Sequence, residues 1–422
     1  KRHDLNSFPI MSTRAYDLVV FGATGYTGKL TAEYIATKLP TDLKWALAGR
    51  SRSKLEAVAA ECKALNADRI QPAIEIATLN DEELSSLAKK TTVLIATVGP
   101  YALYGEHAVK ACAENGTHYF DVTGEVAWVA NMIKKYEKTA QSTGAIIIPQ
   151  IGIESAPADL VTWTLASMIR EKFSVPTAEV IVSVHEIRGK PSGGTLSTVF
   201  GLLDAYSLKE IAATSAPYAL SPISGPKTKS PTSWITKLLG VREVSDLGIL
   251  TSYLGAAADR PLVHRTWGLL GGPSFYGPNF RFSEYMKAQN YLLAIFIHFG
   301  LAVASCFVVI PWVRTLAKKY VTQPGDGPTK EQSRNDRVEY RGIGNPDVQT
   351  PKPARAFCRA HYEGSLYALT GLLLAESAIS ILKDEHTLTG GIYTPACLGQ
   401  KFIDRLDAGG FKFEKKIFEN SA

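Results

Sequence analysis

Apolar runs alternate with amphipathic stretches from residue 17 to about residue 150. The apolar runs predict strands at 18–21, 45–48, 92–97, 118–122 and 145–149. The stretches between them predict helices at 29–38, 53–65, 81–89, 106–115 and 126–143. Strands that alternate with helices are typical of a doubly wound parallel sheet with right-handed crossovers. We therefore expect an α/β domain over 17–150, with its ligand beyond the carboxyl ends of the strands.

The pattern changes after residue 150. The segment 151–159 opens a predicted helix that runs to about residue 170, with Pro157 tolerated in its first turn, and 179–187 has the pattern of a strand. Two polar stretches, 221–233 and 322–353, have the composition of a linker or a surface excursion. We expect a second, α+β domain over 151–390, followed by a C-terminal segment over 391–422.

Two long apolar runs lie in this second half. Residues 288–313 carry no formal charge over 26 positions, which is long enough for a membrane-spanning helix, and 364–382 carries Glu376 alone. Both runs could equally be buried helices or the lining of a hydrophobic cavity. Arg314, Lys318 and Lys319 follow the first run and favour a cytosolic C-terminal side. Because the domain ahead of this run also needs the cytosol, a hairpin or a helix lying in one leaflet is favoured over a single crossing.

Composition narrows the class of protein. The chain has 422 residues, 45% of them hydrophobic, which predicts a well-packed fold of two domains. The net charge of +6 is spread along the chain without a basic and aromatic patchwork, so no nucleic-acid partner is expected. Five distant cysteines indicate a reducing compartment and predict neither a metal site nor a disulfide. Residues 1–16 are treated as a leader or extension. The sequence leaves the oligomeric state undecided, with a homodimer as one possibility.

Three glycines spaced three apart follow the first predicted strand: Gly22, Gly25 and Gly28. In a dinucleotide site the first permits a sharp turn, the second admits the pyrophosphate, and the third lets the helix pack closely on the strand. The positive end of that helix then faces the anion. A tight surface turn is the alternative, but a strand before the glycines and a helix after them are the context that the motif requires. The predicted cofactor site also includes Ala23, Thr24 and Tyr26.

The second predicted strand leads into Arg50, Ser51 and Arg52. An acidic residue here would bind the ribose 2′-hydroxyl of NAD, whereas an arginine suits the 2′-phosphate of NADP. We therefore predict NADPH in preference to NADH, and a solvated basic turn is the alternative for the arginines. The loop after the third predicted strand should lie beside the nicotinamide, since Gly99 permits close approach and Pro100 stiffens the loop. The predicted cofactor site therefore also includes Thr97, Gly99 and Pro100.

Carboxylates and phenols at strand ends are the candidates for proton transfer. Asp121 ends an apolar strand, where it could cap the next helix, bind a ligand or move a proton. Glu125 is a similar candidate, and Tyr101 could either donate a proton or pack.

Loops of the second half supply the candidates for substrate binding. Glu154 and Ser155 precede its first predicted helix. Ser192, Gly193 and Thr195 predict a loop that binds an anion or a carbonyl, with a surface turn equally open.

Taken together, these motifs resemble the saccharopine dehydrogenase-like oxidoreductase family. The matching segments span residues 17–413 and comprise 22–28 (GATGYTG), 48–51 (AGRS), 98–101 (VGPY), 119–125 (YFDVTGE), 152–159 (GIESAPAD), 192–195 (SGGT) and parts of 394–406. The resemblance implies a Rossmann domain, an α+β substrate domain, and a C-terminal segment that returns to the Rossmann domain. The resemblance also implies a connection to lipids, since some animal relatives are associated with lipid droplets and mycobacterial relatives act as trans-acting enoyl reductases in lipid synthesis.

We therefore expect an NADPH-dependent oxidoreductase that reduces a C=C, C=N or C=O bond of a hydrophobic, lipid or polyketide-like substrate. Its expected location is the cytoplasmic side, with a membrane or lipid-droplet surface as a further partner. Two alternatives stay open. One is a membrane or lipid-droplet protein that keeps the nucleotide-binding fold as a scaffold, and the other is a saccharopine reductase.

Overall fold

The computed structural model describes residues 14–190, 200–226, 232–318, 327–350 and 353–419. These residues form two seven-stranded sheets with helices packed around them. The strands are β1 Tyr16–Phe21, β2 Trp45–Gly49, β3 Ala73–Ile76, β4 Thr91–Ala96, β5 His118–Asp121, β6 Ile146–Ile148, β7 Thr177–Arg188, β8 Val241–Val244, β9 Gly248–Thr251, β10 Arg281–Lys287, β11 Arg337–Pro346, β12 Arg355–Glu363, β13 Gly391–Ile392 and β14 Lys412–Phe418. The helices are α1 Tyr26–Lys38, α2 Arg52–Leu65, α3 Asp81–Lys89, α4 Tyr101–Tyr104, α5 Glu106–Asn115, α6 Val126–Thr143, α7 Ala156–Phe173, α8 Leu208–Thr214, α9 Trp234–Leu239, α10 Ala256–Leu269, α11 Tyr291–Val309, α12 Pro311–Lys318, α13 Leu366–Lys383 and α14 Gly399–Ala408.

The first sheet is parallel and has the order β3-β2-β1-β4-β5-β6-β13. Its first six strands confirm the predicted doubly wound Rossmann domain. The strand order reverses between β1 and β4, and in this fold a ligand binds in the crevice at that switch point, beyond the carboxyl ends of the strands. The sequence pattern missed β3, because this four-residue edge strand is only partly buried and has no clear alternation.

The second sheet is mixed and has the order β14-β12-β11-β7-β10-β9-β8. Only the β7–β10 pair is parallel among its pairings, and the others are antiparallel. Helix α7 packs against β7, β11 and β12 and is buried along most of its length. A mixed sheet covered by helices confirms the predicted α+β character of the second half.

The C-terminal part of the chain is shared between the two sheets. β13 extends the first sheet beside β6, as the predicted return to the Rossmann domain requires. β14 instead adds an edge strand to the second sheet beside β12, where Phe413 pairs with Ala360. Helix α13 lies between the domains and packs on α1.

The two apolar runs have different environments although both form helices long enough to cross a membrane. Helix α13 is a core helix, with 78% of its apolar window buried, whereas only 6% of the window in α11 is buried. For α13, burial in the protein core accounts for the apolar composition. Burial in the core does not account for the apolar composition of α11, because this helix is mostly exposed.

Candidate active site

The glycine turn after β1 forms one wall of the crevice. The Gly25 N–H donates to the Gly22 carbonyl at 2.9 Å, and Gly25 is the N-cap of α1. Among the described residues, no side chain caps this helix end, and no acidic residue lies in its first turn. The N–H groups of a first turn have no partner within their own helix. This end of α1 can therefore receive an anion.

The turn is too tight for any side chain at two of the three glycines. Gly22 has a φ of +87°, and a Cβ there would lie 2.7 Å from the Val98 side chain. A Cβ on Gly28 would lie 2.7 Å from Thr97 Oγ1 and closer still to the Gly22 carbonyl oxygen. Such close contact of helix and strand is the geometry that holds a pyrophosphate in this fold, so the residues present fit a dinucleotide. Ala23 is buried behind the turn, and Thr24 is exposed on it.

Tyr26 occupies a different position from the one that its place in the motif suggests. Its backbone N–H is in the first turn of α1, but its hydroxyl donates to the Pro328 carbonyl at 2.7 Å. Its ring contacts Tyr367 edge-on, with centroids 5.1 Å apart. The side chain thus joins the first domain to the second, and the backbone alone is free to meet a phosphate.

The ribose end of the crevice lies beyond β2. Arg50 is exposed directly after this strand, and Ser51 is the N-cap of α2 without a side-chain hydrogen bond to the helix. Residues 50–53 contain no acid.

The loop after β4 forms the opposite wall. Thr97 joins it to the glycine turn, because its N–H donates to the Phe21 carbonyl at 2.9 Å and its hydroxyl lies 3.2 Å from the Gly22 carbonyl. Gly99 is exposed, and the Gly99–Pro100 peptide bond is cis. The loop therefore reaches the switch point, where the predicted cofactor site placed it.

Two of the predicted catalytic side chains hold this loop in place. Glu125 is fully buried and accepts hydrogen bonds from the N–H groups of Tyr101 and Ala102, both at 2.7 Å, and so caps α4. Burial raises the pKa of Glu125, and the two backbone donors oppose that rise. The Tyr101 hydroxyl donates to the Ala96 carbonyl at 2.9 Å. Their roles in proton transfer stay a prediction, while their structural contacts are clear.

Asp121 ends β5 and is fully buried. Its Oδ1 accepts from the N–H groups of Thr123 and Gln150, both at 3.0 Å, and its Oδ2 accepts from the Tyr119 hydroxyl at 2.9 Å. Burial raises the pKa of Asp121 to about 7, against these three donors. A carboxyl that titrates near neutral pH at a strand end is suited to proton transfer. The same contacts also fix the loops after β5 and β6.

The loop from β6 to α7 brings the predicted substrate residues to this edge. Glu154 is exposed, and its Oε2 lies 3.9 Å from where a Cβ on Gly124 would be. Ser155 is buried and is the N-cap of α7. Glu154 therefore lies beside the loop that follows Asp121. Ser192, Gly193 and Thr195 fall outside the described residues, so their predicted loop is not placed.

Sequence reasoning missed a set of buried polar groups from the second domain. Asp259 of α10 and Glu284 of β10 are 0% and 5% exposed. A signal existed in β10, where Glu284 follows the buried Phe282 by two residues and so lies on the apolar face of the strand. Their proximity was hidden, because it depends on how α10 packs on β10.

Comparisons with known proteins show which family of proteins this chain resembles. The profile of the saccharopine dehydrogenase NADP-binding domain matches residues 18–148. The saccharopine dehydrogenase-like oxidoreductase of Homo sapiens is 30% identical over 430 residues, covering 95% of this chain and 97% of the relative. The trans-acting enoyl reductase of Mycobacterium bovis is 31% identical over 434 residues, covering 94% of this chain and 97% of the relative.

A solved structure has the same fold. It is the apo saccharopine dehydrogenase (L-Glu forming) of Saccharomyces cerevisiae, with a TM-score of 0.52 at 11% identity, covering 95% of this chain and 99% of that one.

The turn of Gly22, Gly25 and Gly28, here called the glycine cradle, lies at the switch point of a Rossmann sheet that is joined to a second domain. This arrangement defines an NAD(P)-dependent oxidoreductase. The chain belongs to the saccharopine dehydrogenase-like oxidoreductase family, as its full-length relatives show. The predicted family and enzyme class are thereby confirmed.

Proposed function

We propose that this protein is an NADPH-dependent reductase that adds hydrogen across a C=C, C=N or C=O bond of a hydrophobic substrate. The observation that carries the proposal is the fitted glycine cradle, which faces the loops of Asp121 and Glu154 across one crevice. When bound, the reduced nicotinamide supplies a hydride. The residues of the chain hold the cofactor, orient the acceptor and supply a proton.

The preference for NADPH rests on the residues after β2. Arg50 is exposed where the adenosine ribose lies in this fold, and its charge suits a 2′-phosphate. An acidic residue that would favour the 2′-hydroxyl of NADH is missing from residues 50–53. The matching domain is likewise described as NADP-binding.

The hydrophobic substrate is inferred from an apolar surface of the second domain. Helix α11 is anchored in its first half, where the Thr251 hydroxyl donates to the Ala294 carbonyl at 2.7 Å and His298 hydrogen bonds to Ser252 at 2.8 Å. Several of its apolar side chains, among them Phe296 (74% exposed) and Phe307 (54% exposed), lie in solvent. Exposed apolar surface on this scale marks a site of interaction.

This apolar surface connects to the crevice through two contacts. Arg314 of α12 hydrogen bonds to Asp204 at 3.2 Å. Three residues before Asp204, Gly201 lies against Pro100, and a Cβ on Gly201 would be 3.2 Å from the Pro100 Cβ. A lipophilic molecule on α11 and α12 would thus be near the loop that borders the nicotinamide end. The enoyl reductase relative supports a C=C bond as the reduced group.

We further propose that α11 rests on a lipid surface, a membrane or a lipid droplet, on the cytoplasmic side. Trp234 and Leu238 of α9 and Trp312 of α12 add exposed apolar side chains near α11. Tryptophan favours the boundary between lipid and water, and Arg314 and Lys318 follow α11 in the chain. A partly inserted helix would bury these side chains without requiring the two domains to lie on opposite sides of a bilayer.

The enzymatic proposal is tested by titrating the protein with NADPH and NADH in a calorimeter, then following NADPH oxidation with a long-chain 2-enoyl thioester. We expect NADPH to bind more tightly than NADH and to be consumed with the thioester. A folded protein that binds neither dinucleotide would overturn the proposal. An aldehyde and an imine of the same chain length serve as the C=O and C=N probes.

The lipid proposal is tested by flotation with vesicles of phosphatidylcholine, with and without phosphatidylserine. The double variant Phe296→Asp/Phe307→Asp should lower vesicle binding about tenfold or more, because each phenylalanine gives about 1.5–3 kcal/mol on burial. Leu65→Asp, an exposed leucine at the end of α2, is the matched control. Equal flotation of all three proteins would refute insertion of α11.

Two alternatives make different predictions in the same assays. A scaffold protein would float with vesicles but would oxidise no NADPH with any of the three probes. A saccharopine reductase would oxidise NADPH with aminoadipate semialdehyde and glutamate. The likeness to the yeast saccharopine dehydrogenase is at 11% identity, so it shows the fold and gives that substrate no support.

A further inference from the structure

Arg314 joins the exposed helix α11 to a segment that packs on the first domain. Its Nη1 donates to the Val309 carbonyl at 2.7 Å and to the Val308 carbonyl at 3.3 Å. Carbonyl groups in the last turn of a helix have no partner within that helix, so Arg314 closes the C-terminal end of α11. Its Nε and its Nη2 each lie 3.2 Å from Asp204 Oδ1. One guanidinium therefore binds both the end of α11 and the carboxylate of Asp204.

That carboxylate belongs to residues 200–206, here called the lid segment, which is helical except at its last residue. Near its start, Gly201 is buried and lies so close to the loop after β4 that a Cβ on it would be 3.2 Å from the Pro100 Cβ. At its end, the Tyr206 hydroxyl accepts a hydrogen bond from the Asn131 side chain of α6 at 3.2 Å. The lid segment is thus held on the first domain, against the loop that borders the nicotinamide end of the crevice.

The ion pair between Arg314 and Asp204 is of a kind that another anion can replace. The Asp204 carboxylate is 41% exposed, so water screens the pair. The phosphate of a lipid head group offers oxygens that match the fork of a guanidinium. Arg314 follows α11 directly in the chain, so a helix α11 that rests on lipid would bring this guanidinium to the level of the head groups.

We propose that a phospholipid phosphate displaces Asp204 from Arg314 when α11 binds a lipid surface, which frees the lid segment from α12 and opens the nicotinamide end of the crevice. This inference rests on the proposed function, because it connects the lipid surface to the active site. In solution the lid segment stays against Pro100, and turnover is slow. On a lipid surface, where a lipophilic substrate is dissolved, the lid segment is released. The reductase therefore works mainly where its substrate is found.

Release of the lid segment is tested first without substrate, by hydrogen–deuterium exchange. In the wild type, vesicles of phosphatidylcholine and phosphatidylserine should raise the exchange rates of its amides about two- to fivefold, which matches what a partly exposed ion pair contributes. Asp204→Asn should exchange at the faster rate without vesicles and gain little from them. Glu414→Gln, which removes an exposed carboxylate paired with Arg359 at the edge of the second sheet, is the matched control and should exchange as the wild type does.

The outcomes separate this inference from the proposed function. A wild-type protein that floats with vesicles but keeps the same exchange in the lid segment would overturn the inference alone. An equal rise with inorganic phosphate at the same concentration would also overturn it, because the lipid surface would not be needed. Phe296→Asp/Phe307→Asp should show no rise with vesicles, since it binds them weakly. A wild type that does not float would refute the proposed lipid surface, and this inference with it.

The effect on turnover is measured with NADPH and a short-chain 2-enoyl thioester, which dissolves in water without lipid. Vesicles should raise the wild-type kcat/KM about two- to fivefold, and Asp204→Asn should reach the raised value without them. The affinity for NADPH should be equal in both proteins, because the glycine cradle is unchanged. An Asp204→Asn enzyme with the wild-type response to vesicles would contradict the inference. A wild type that is inactive with and without vesicles would instead refute the proposed reductase activity, and the exchange measurement would still decide whether lipid releases the lid segment.

Discussion

The glycine cradle makes its strongest prediction at Gly28. In Gly28→Ala, the new methyl group would lie 2.7 Å from Thr97 Oγ1, 2.9 Å from the Ala23 Cα and closer still to the Gly22 carbonyl oxygen. Ordinary van der Waals contact begins near 3.4 Å. Two of these neighbours are backbone atoms that cannot rotate away. Helix α1 must therefore move off β1 by well over half an ångström.

The size of the effect follows from this displacement. Overpacking of a buried site costs about 1–3 kcal/mol. If the displaced first turn no longer meets the pyrophosphate, the same amount is lost from binding, so the Kd for NADPH should rise about 5- to 150-fold. Gly25→Ala should destabilise the fold less than Gly28→Ala, because its methyl group would lie 3.3 Å from the Gly22 carbonyl oxygen, but it would occupy space that the pyrophosphate needs and should also weaken NADPH binding.

The assay is calorimetric titration with NADPH, accompanied by thermal unfolding of each variant. Gly300→Ala is the matched control, since no atom lies within 4 Å of the methyl group that it would add. It should bind NADPH as the wild type does. If Gly28→Ala also bound NADPH with the wild-type Kd and unfolded at the wild-type temperature, the close contact of α1 with β1 would not support the cofactor site.

Three further predictions follow from single side chains. Arg50→Glu should raise the Kd for NADPH about 10- to 100-fold and the Kd for NADH less, because a charge-assisted contact to the 2′-phosphate is lost. Paired titrations with the two dinucleotides measure this, and an equal loss of affinity for both would contradict it. Glu125→Ala should lower the free energy of unfolding by about 2–6 kcal/mol in urea, because the buried N–H of Tyr101 and the partly buried N–H of Ala102 lose their acceptor, and an unchanged midpoint would refute the capping role. Burial raises the pKa of Asp159 to about 7, so the folded state keeps the carboxyl proton at a higher pH than the unfolded state does. The contribution of Asp159 to the free energy of unfolding is therefore fully present below its unfolded pKa of about 4 and is lost as the pH rises through about 7. Asp159→Asn should therefore gain stability relative to the wild type as the pH rises from about 4 to about 7 in urea unfolding, whereas parallel pH profiles would contradict this sign.

The sequence predicted what local pattern determines. The alternation of apolar runs and helical stretches defined β1, β2, β4, β5 and β6, since each strand of a parallel sheet is buried on both faces. The cofactor turn was equally accessible, because Gly22 to Gly28 form it within one segment. The edge strand β3 was missed, as it is short and only partly buried.

Features that depend on tertiary packing could not be predicted from the pattern of apolar and polar residues along the chain. Helices α11 and α13 are both apolar and uncharged over most of their length, and only the packing of α13 on α1 separates the core helix from the exposed one. Similarly, Glu125 was expected at the crevice, but its bonds to the N–H groups of Tyr101 and Ala102 come from elements that the sequence does not show to be adjacent. Asp259 and Glu284 meet for the same reason.

The sharing of residues 391–418 between the two sheets has a consequence for biosynthesis. A ribosome releases β1–β6 long before β13, and nearly all of the second sheet before β14, so β6 and β12 each keep one side unpaired until the final stretch is made. An unpaired strand edge invites association with other chains. Helix α13, which covers α1, also arrives late, and pairings so distant in sequence form slowly. We therefore expect newly made protein to depend on chaperones until translation ends, and premature termination near residue 390 to yield aggregates rather than a shortened enzyme.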